Sequence, residues 1–452
     1  MEEIKIKMFK WMTFLCLAFT ASLILGLAQP APAQQAASES TNEQATKQED
    51  ATAGEQSPKT KSGYKAESGF GGPSSTGAQL EEDNVEKVPL LRFPGIDRAL
   101  EPWFDWKGRL NKDYGLQFGL DYTALYQGVT ESPGEDSAAG GIFRFFGNWT
   151  LLGRDSGNTG SIVYKVENRH TLGTDIPPQD LGFEAGYLGI PGTAFSDYGW
   201  GVTNLFWKQK LNQGRISFVA GVVDATDYVD VYGLANPWTQ FQNLVFLTDP
   251  TIPVPNQGLG VALGAMVTDN IYVVGGLADT NGDPTEPGDW FDTFFDDHEY
   301  FYHFEAGWTA SQERIYFDNI HVTGWYADER KDALVEDGWG LAFSATKFIN
   351  DNWMPFLRVG YSDGGGALLE ASVSAGIGYY MSDSRDLLGF GVNWGKPPES
   401  GLDDQYTAEI FYRLQLAQNL AITPDLQLII DPALNPDENT IWVFGLRARL
   451  AL

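Results

Sequence analysis

From Leu116 to Leu452 the chain reads as sixteen short two-faced segments, and their connections alternate between tight turns and long polar loops. The segments fall near 116–126, 142–152, 160–169, 200–210, 214–223, 258–267, 271–278, 300–309, 319–327, 338–347, 353–362, 370–381, 386–394, 405–417, 419–430 and 440–452. In the last of them Trp442, Phe444, Leu446, Ala448, Leu450 and Leu452 share one side, while Val443, Gly445, Arg447, Arg449 and Ala451 share the other. Successive side chains of a strand point to opposite faces, so a period of two means two environments. In a soluble sheet the apolar face meets a core. In an outer-membrane barrel it meets lipid, and the polar face meets the lumen.

The connections decide between these. Every second one is short: "RDSGNTG", "NQG", "TDN", "INDN", "SDSR" and "QN", with "SQERIYFD" the longest. The others are longer and polar, over 131–141, 170–199, 224–257, 279–299, 328–337, 363–369, 395–404 and 431–439. Strict alternation gathers all long loops at one end, which is the pattern of short periplasmic turns and long external loops. A soluble sandwich has no reason to sort its loops this way. "LGFEAGYLGI" at 181–190 belongs to the second long loop, because an odd strand count would leave one terminus on the wrong side. The outward faces carry Tyr122, Tyr126, Trp149, Trp207, Trp339, Trp353 and Trp442 near strand ends. Aromatic girdles sit where membrane meets water. Packing in a sandwich core is the alternative, and the charges and small residues of the opposite face argue against it. The expected fold is therefore all-β: a 16-stranded antiparallel transmembrane β-barrel over 116–452.

Composition agrees. Aromatics make up 13% of the chain and Gly numbers 51, as many strands joined by turns require. After the N-terminus no run of about 20 apolar residues offers a membrane helix. Residues 1–33 read as a secretory signal: Lys5, Lys7 and Lys10 precede an apolar stretch that ends in the small-residue site "APA". An uncleaved anchor is the alternative. The single cysteine, Cys16, lies in that stretch, so disulfides and cysteine metal sites are excluded from the remainder. Residues 34–87 are polar and lack apolar periodicity, and they read as a disordered acidic arm. Residues 88–115 form a lead-in with a short helix on "DRALEPWFDWKGRL". The formal charge of −30 argues against nucleic acid and against a basic membrane-surface patch.

The inward faces hold the chemistry. Lys165, Glu167 and Arg169 share the third segment, and Arg215 and Asp224 bound the fifth. His303 and Glu305, then His321 and Trp325, lie on the eighth and ninth. Arg358, Glu409, Arg413, Arg447 and Arg449 complete the set. Such groups either grip solute hydroxyls, with an aromatic against a sugar's C–H face, or simply line a wet pore. The apolar third long loop, 224–257, either folds into the barrel and narrows it or packs outside on its neighbours. No nucleophile elbow, zinc motif or P-loop occurs, so no enzyme is read. "DTNGDP" begins like a calcium loop, but Pro284 stands where that loop needs Gly, and no metal or cofactor is expected.

Several stretches resemble the carbohydrate-selective porins of the OprB family: "FDWKGRLNKDYGLQFGLDYTALYQG", "GSIVYKVENRH", "GRISFVAGVVDATDYVD" and "DQYTAEIFYRLQLAQNLAITPDLQLIIDPALNPDENTIWVFGLRARL". The resemblance covers about 103–452 and is most specific in the last stretch. It implies a barrel in the outer membrane of a Gram-negative cell that passes mono- and small oligosaccharides by diffusion. It also implies a narrow eyelet of Arg and Glu, matched here by Glu167, Arg169, Arg358, Arg413 and Arg447. Implied partners are the permeating sugars, outer-membrane lipid and lipopolysaccharide, and the barrel assembly machinery. Monomer and homotrimer both stay open. Two features depart from the pattern: Leu452 stands where such barrels commonly end in an aromatic, and the acidic arm is long. The alternatives are a general or cation-preferring diffusion porin, and a secreted soluble β-protein that binds polysaccharide.

Overall fold

The computed structural model describes residues 60–62, 64, 69–381 and 385–452. The leader read over 1–33 and the polar residues 34–59 lie outside them. Sixteen strands form one closed antiparallel barrel. They are β1 (Leu116–Val129), β2 (Ser137–Leu152), β3 (Gly160–Thr171), β4 (Gly199–Leu211), β5 (Ile216–Val223), β6 (Gly258–Met266), β7 (Ile271–Asp279) and β8 (Tyr300–Thr309). There follow β9 (Asn319–Ala327), β10 (Gly338–Thr346), β11 (Trp353–Gly364), β12 (Ala371–Tyr380), β13 (Leu387–Lys396), β14 (Gln405–Ala417), β15 (Leu420–Ile430) and β16 (Thr440–Ala451). Each pairs with its neighbours in sequence, and β16 closes onto β1 with Tyr122 opposite Leu450 and Thr123 opposite Arg449. Closure pairs every strand edge, which lipid requires because it offers no hydrogen bonds.

The two faces separate as the alternation predicts. Val261, Leu263, Phe304, Leu341, Phe444 and Leu446 point outward and are exposed. The inward set is largely polar, and much of it is covered: Thr123, Gln127, Asn393 and Gln427 are all 0% exposed. The inward ionisable groups are thus mostly covered by other parts of the chain rather than facing open water. Among the described residues several segments fill the interior, the second long loop around Tyr187 and Pro191 among them, and two others reach furthest.

The first is the third long loop. Its Tyr232, Leu234, Phe241, Val245 and Phe246 pack against inward Met354, Phe356, Leu387 and Phe411 of β11, β13 and β14. Inward glycine makes room: a Cβ at Gly391 would come within 2.7 Å of the Phe246 ring. The loop therefore folds into the barrel, not onto its outside.

The second is the arm, and here the reading of 34–87 as disordered is corrected in its later part. Helix α1 (Thr76–Asn84) lies inside the barrel with Gln79, Leu80, Asp83 and Asn84 buried. Its contacts are with β1, β2 and β3. Apolar periodicity missed it because its partners are polar wall residues. Helix α2 (Pro94–Tyr114) then leads into β1 and is longer than the sequence suggested. Pro94 opens it, where a missing N–H costs nothing. Gly115 closes it at φ 72°, donating its N–H to the carbonyls of Leu110 and Asn111. "LGFEAGYLGI" forms no strand; Leu181–Glu184 is a short helix, and Leu181, Ala185 and Tyr187 pack on Ile429, Ile441 and Val443.

Candidate functional site

The ten residues singled out from sequence all face inward, but they fall into four groups. Lys165, Glu167, Arg169 and Asp224 gather beside β3. Arg358, Glu409 and Arg447 hold the third loop. Arg413 and Arg449 hold α1. Trp325 stands apart, buried with Ile252, Phe301 and Ala367 in an apolar cluster. It is thus not a platform for a solute.

The first group borders open space. A cavity of about 180 Å³ lies between β3 and the third loop, walled by Lys165, Arg169, Asp224, Asp227, Trp238 and Gln257 among others. That is room for several waters or one small polar solute. Period-two geometry delivers Lys165, Glu167 and Arg169 side by side from one strand. Arg169 donates to Glu167 at 2.6 and 2.9 Å, and its guanidinium lies 4.9 Å from the Tyr198 ring centre. Lys165 lies 3.6 Å from Asp224. Asp224 also accepts from Thr226 Oγ1 at 2.5 Å and from Gln257 Nε2 at 3.1 Å. Asp227 accepts from Asn204 at 3.3 Å, and burial pushes its carboxyl up to about 6 against the pull of Lys165. The loop supplies an indole, Trp238, whose ring lies 3.7 Å from the Arg144 guanidinium carbon. Ion pairs, amides and an aromatic thus share one narrow space.

The loop's anchors come from both sides of the barrel. Arg358 pairs with Asp230, and His321 reaches the same carboxylate at 3.1 Å. Glu305 accepts the Asp230 backbone N–H at 2.9 Å. Across the barrel, Glu409 accepts the N–H groups of Gln242 and Asn243 at 2.7 and 2.9 Å. Arg447 donates to the carbonyls of Pro237 and Gln240 at 2.6 and 2.7 Å. Charge-assisted hydrogen bonds of this kind contribute roughly 1.5–3 kcal/mol each. His303 faces inward with neither ring nitrogen bonded, and Arg215 is no lumen residue at all. The Arg215 side chain lies outside β5 in the short turn and pairs with exposed Asp269 at 2.8 Å.

Sequence reasoning missed Arg144, Asp227, Asp230 and Trp238. Arg144 was legible, since Ile142, Arg144 and Phe146 alternate in "IFRFFG". The other three lie in a loop, where no period marks which side chain points where.

Comparison with known proteins settles the family. The model of the carbohydrate-selective porin, OprB family, matches residues 182–452, more than half of the chain. The chain belongs to the OprB family. As a member of this family of outer-membrane channels, it resides in the outer membrane, with its short turns toward the periplasm. Porin AaxA of Chlamydia pneumoniae is 30% identical over 125 residues. The matched stretch is 25% of this chain and only 28% of that relative's length. The high-pH structure of Pseudomonas putida OprB superposes with a TM-score of 0.60 at 14% identity, covering 77% of this chain and 97% of that one. At that identity the likeness is one of fold, and it agrees with the closed 16-stranded OprB barrel described above.

Proposed function

We propose that the protein is a passive, carbohydrate-selective diffusion channel for mono- and small oligosaccharides. The observation that carries this is the β3 cavity, where Lys165 and Arg169 are paired with Asp224 and Glu167 beside Trp238. Paired ions offer many donors and acceptors with little net charge. A neutral solute dense in hydroxyls exchanges hydrogen bonds along such a wall, while a lone ion must leave its water behind. The indole of Trp238, stacked on Arg144, borders the same space. Binding stays weak, flux follows the gradient, and no reaction is catalysed. Lipid, lipopolysaccharide and the barrel assembly machinery are the partners this reading implies.

A general or cation-preferring channel is the second reading. The formal charge of −30 and the carboxylates of Asp224 and Asp227 favour it. Osmotic swelling of liposomes separates the two. Faster entry of glucose than of an amino acid of similar size, lost in Arg169→Gln, supports the sugar channel. Rates ordered by size alone support the general one. Absence of any swelling from inserted, heat-modifiable protein sinks both.

A further inference from the structure

Segment 69–87 lies inside the barrel, and it sits in a seat built for it. At one end Phe70 packs against Tyr272, with ring centres 6.1 Å apart. A Cβ at Gly264 of β6 would come within 2.5 Å of the Phe70 ring, so that strand position is open only because it is glycine. In the middle, Gly72 donates its N–H to the Asp227 carbonyl at 2.6 Å, Asn236 donates to the Pro73 carbonyl at 3.1 Å, and Ser74 borders the β3 cavity. At the other end the last turn of α1 presents two carboxylates. Glu82 takes Arg385 at 2.6 Å, Arg413 at 2.8 Å and Lys87 at 3.7 Å. Asp83 takes both outer nitrogens of Arg449, at 2.7 and 2.8 Å. Arg449 is braced in turn by Asp121, which also pairs with Arg144.

We propose that residues 69–87 form a tethered, displaceable plug that closes the periplasmic half of the lumen when docked and opens the channel when it withdraws. This rests on the channel reading above. Three physical points make the plug releasable. Its contact with the apolar clusters is limited to two side chains among the described residues: Phe70 against the Met266 and Tyr272 cluster, and Leu80 with Tyr64 and Phe146. Its ion pairs are desolvated on docking and rehydrated on release, so their attraction is largely offset. A helix of nine residues has little stability alone, so α1 melts on leaving and gains chain entropy. The strands bond to one another, so the wall keeps its hydrogen bonds without the plug.

The test is conductance of the full chain in planar bilayers, with two variants. Glu82→Gln with Asp83→Asn keeps shape and removes the charged latch; open probability rises about tenfold or more. Leu80→Cys with Phe146→Cys is joined by a short reducible thiol cross-linker; the channel closes when cross-linked and recovers on reduction. Cross-linking is also read by gel mobility, independently of conduction. If the carboxamide variant conducts as the parent does and the cysteines do not cross-link, the plug is overturned and the channel reading stands. If they cross-link but nothing conducts before or after reduction, or in the carboxamide variant, the channel reading falls and the gate falls with it.

Discussion

Two of the segments that fill the lumen differ in the balance of apolar and ionic contact that holds them. Loop 224–257 rests on an apolar floor made by Met354, Phe356, Leu387 and Phe411. Segment 69–87 has Phe70 and Leu80 in small apolar clusters and otherwise rests on Arg385, Arg413 and Arg449. An apolar seal loses free energy whenever water enters, so the loop stays. An ionic latch exchanges one set of partners for another, so the arm is free to leave. The barrel thus carries a permanent narrowing and a removable one.

The contrast predicts unequal responses to mutation. Phe246→Ala removes the loop's own fully buried ring from its contact with that floor and costs about 3–5 kcal/mol. Amide exchange then rises across 224–257 and conductance grows, while heat-modifiability of the barrel is retained. A smaller loss is expected of Arg447→Ala, which strips donors from the carbonyls of Pro237 and Gln240; roughly 1–3 kcal/mol of loop stability goes. Exchange at 237–242 reads this, and an unchanged profile would show that Glu409 suffices to hold that side.

The smallest effect is one of pH, and it acts on the arm alone. Burial pulls the Lys87 ammonium down to about 8, with Glu82 pulling the other way. Its docked value lies below the ordinary 10.5, so docking is penalised while Lys87 stays charged. That penalty is full below pH 8 and fades as pH rises toward 10. Channel opening therefore declines on the alkaline side. On the acid side, burial alone would raise Glu82 and Asp83, but Arg413 and Arg449 outweigh it and hold both below the carboxylate range. Their contribution is present at neutral pH and is lost only as pH falls below about 4 through the depressed values. Opening that rose steadily from pH 7 to 5 would contradict this assignment.

The barrel was legible because lipid enforces a period of two on every strand, and because loop lengths sort by side. The inward direction of Lys165, Glu167, Arg169, Arg358, Glu409, Arg413, Arg447 and Arg449 followed from that period. Their partners did not. Asp230 and Trp238 sit in a loop without periodicity, and Asp83 sits in a polar helix whose burial only the arginines opposite explain. Trp325 had the right direction and the wrong setting, since Ile252 of the loop covers it. A strand pattern shows which way a residue points. It is silent on what arrives from elsewhere in the chain to meet it.

The seam between β1 and β16 has a consequence for the direction of traffic. Lys107 of α2 donates to the Leu452 carbonyl at 3.1 Å, and the N–H groups of Leu90 and Leu91 bond to the carbonyls of Gln415 and Leu416 at the foot of β14. The tether is therefore clamped at the rim on the cell's side of the membrane, and the acidic plug swings from that side only. A door hinged on one side does not meet push and pull alike. Inward flow, or a voltage that draws the negatively charged plug inward, drives it off its seat, while the reverse presses it home. The channel rectifies, with a current–voltage curve that bends one way and straightens when Glu82 and Asp83 lose their charge.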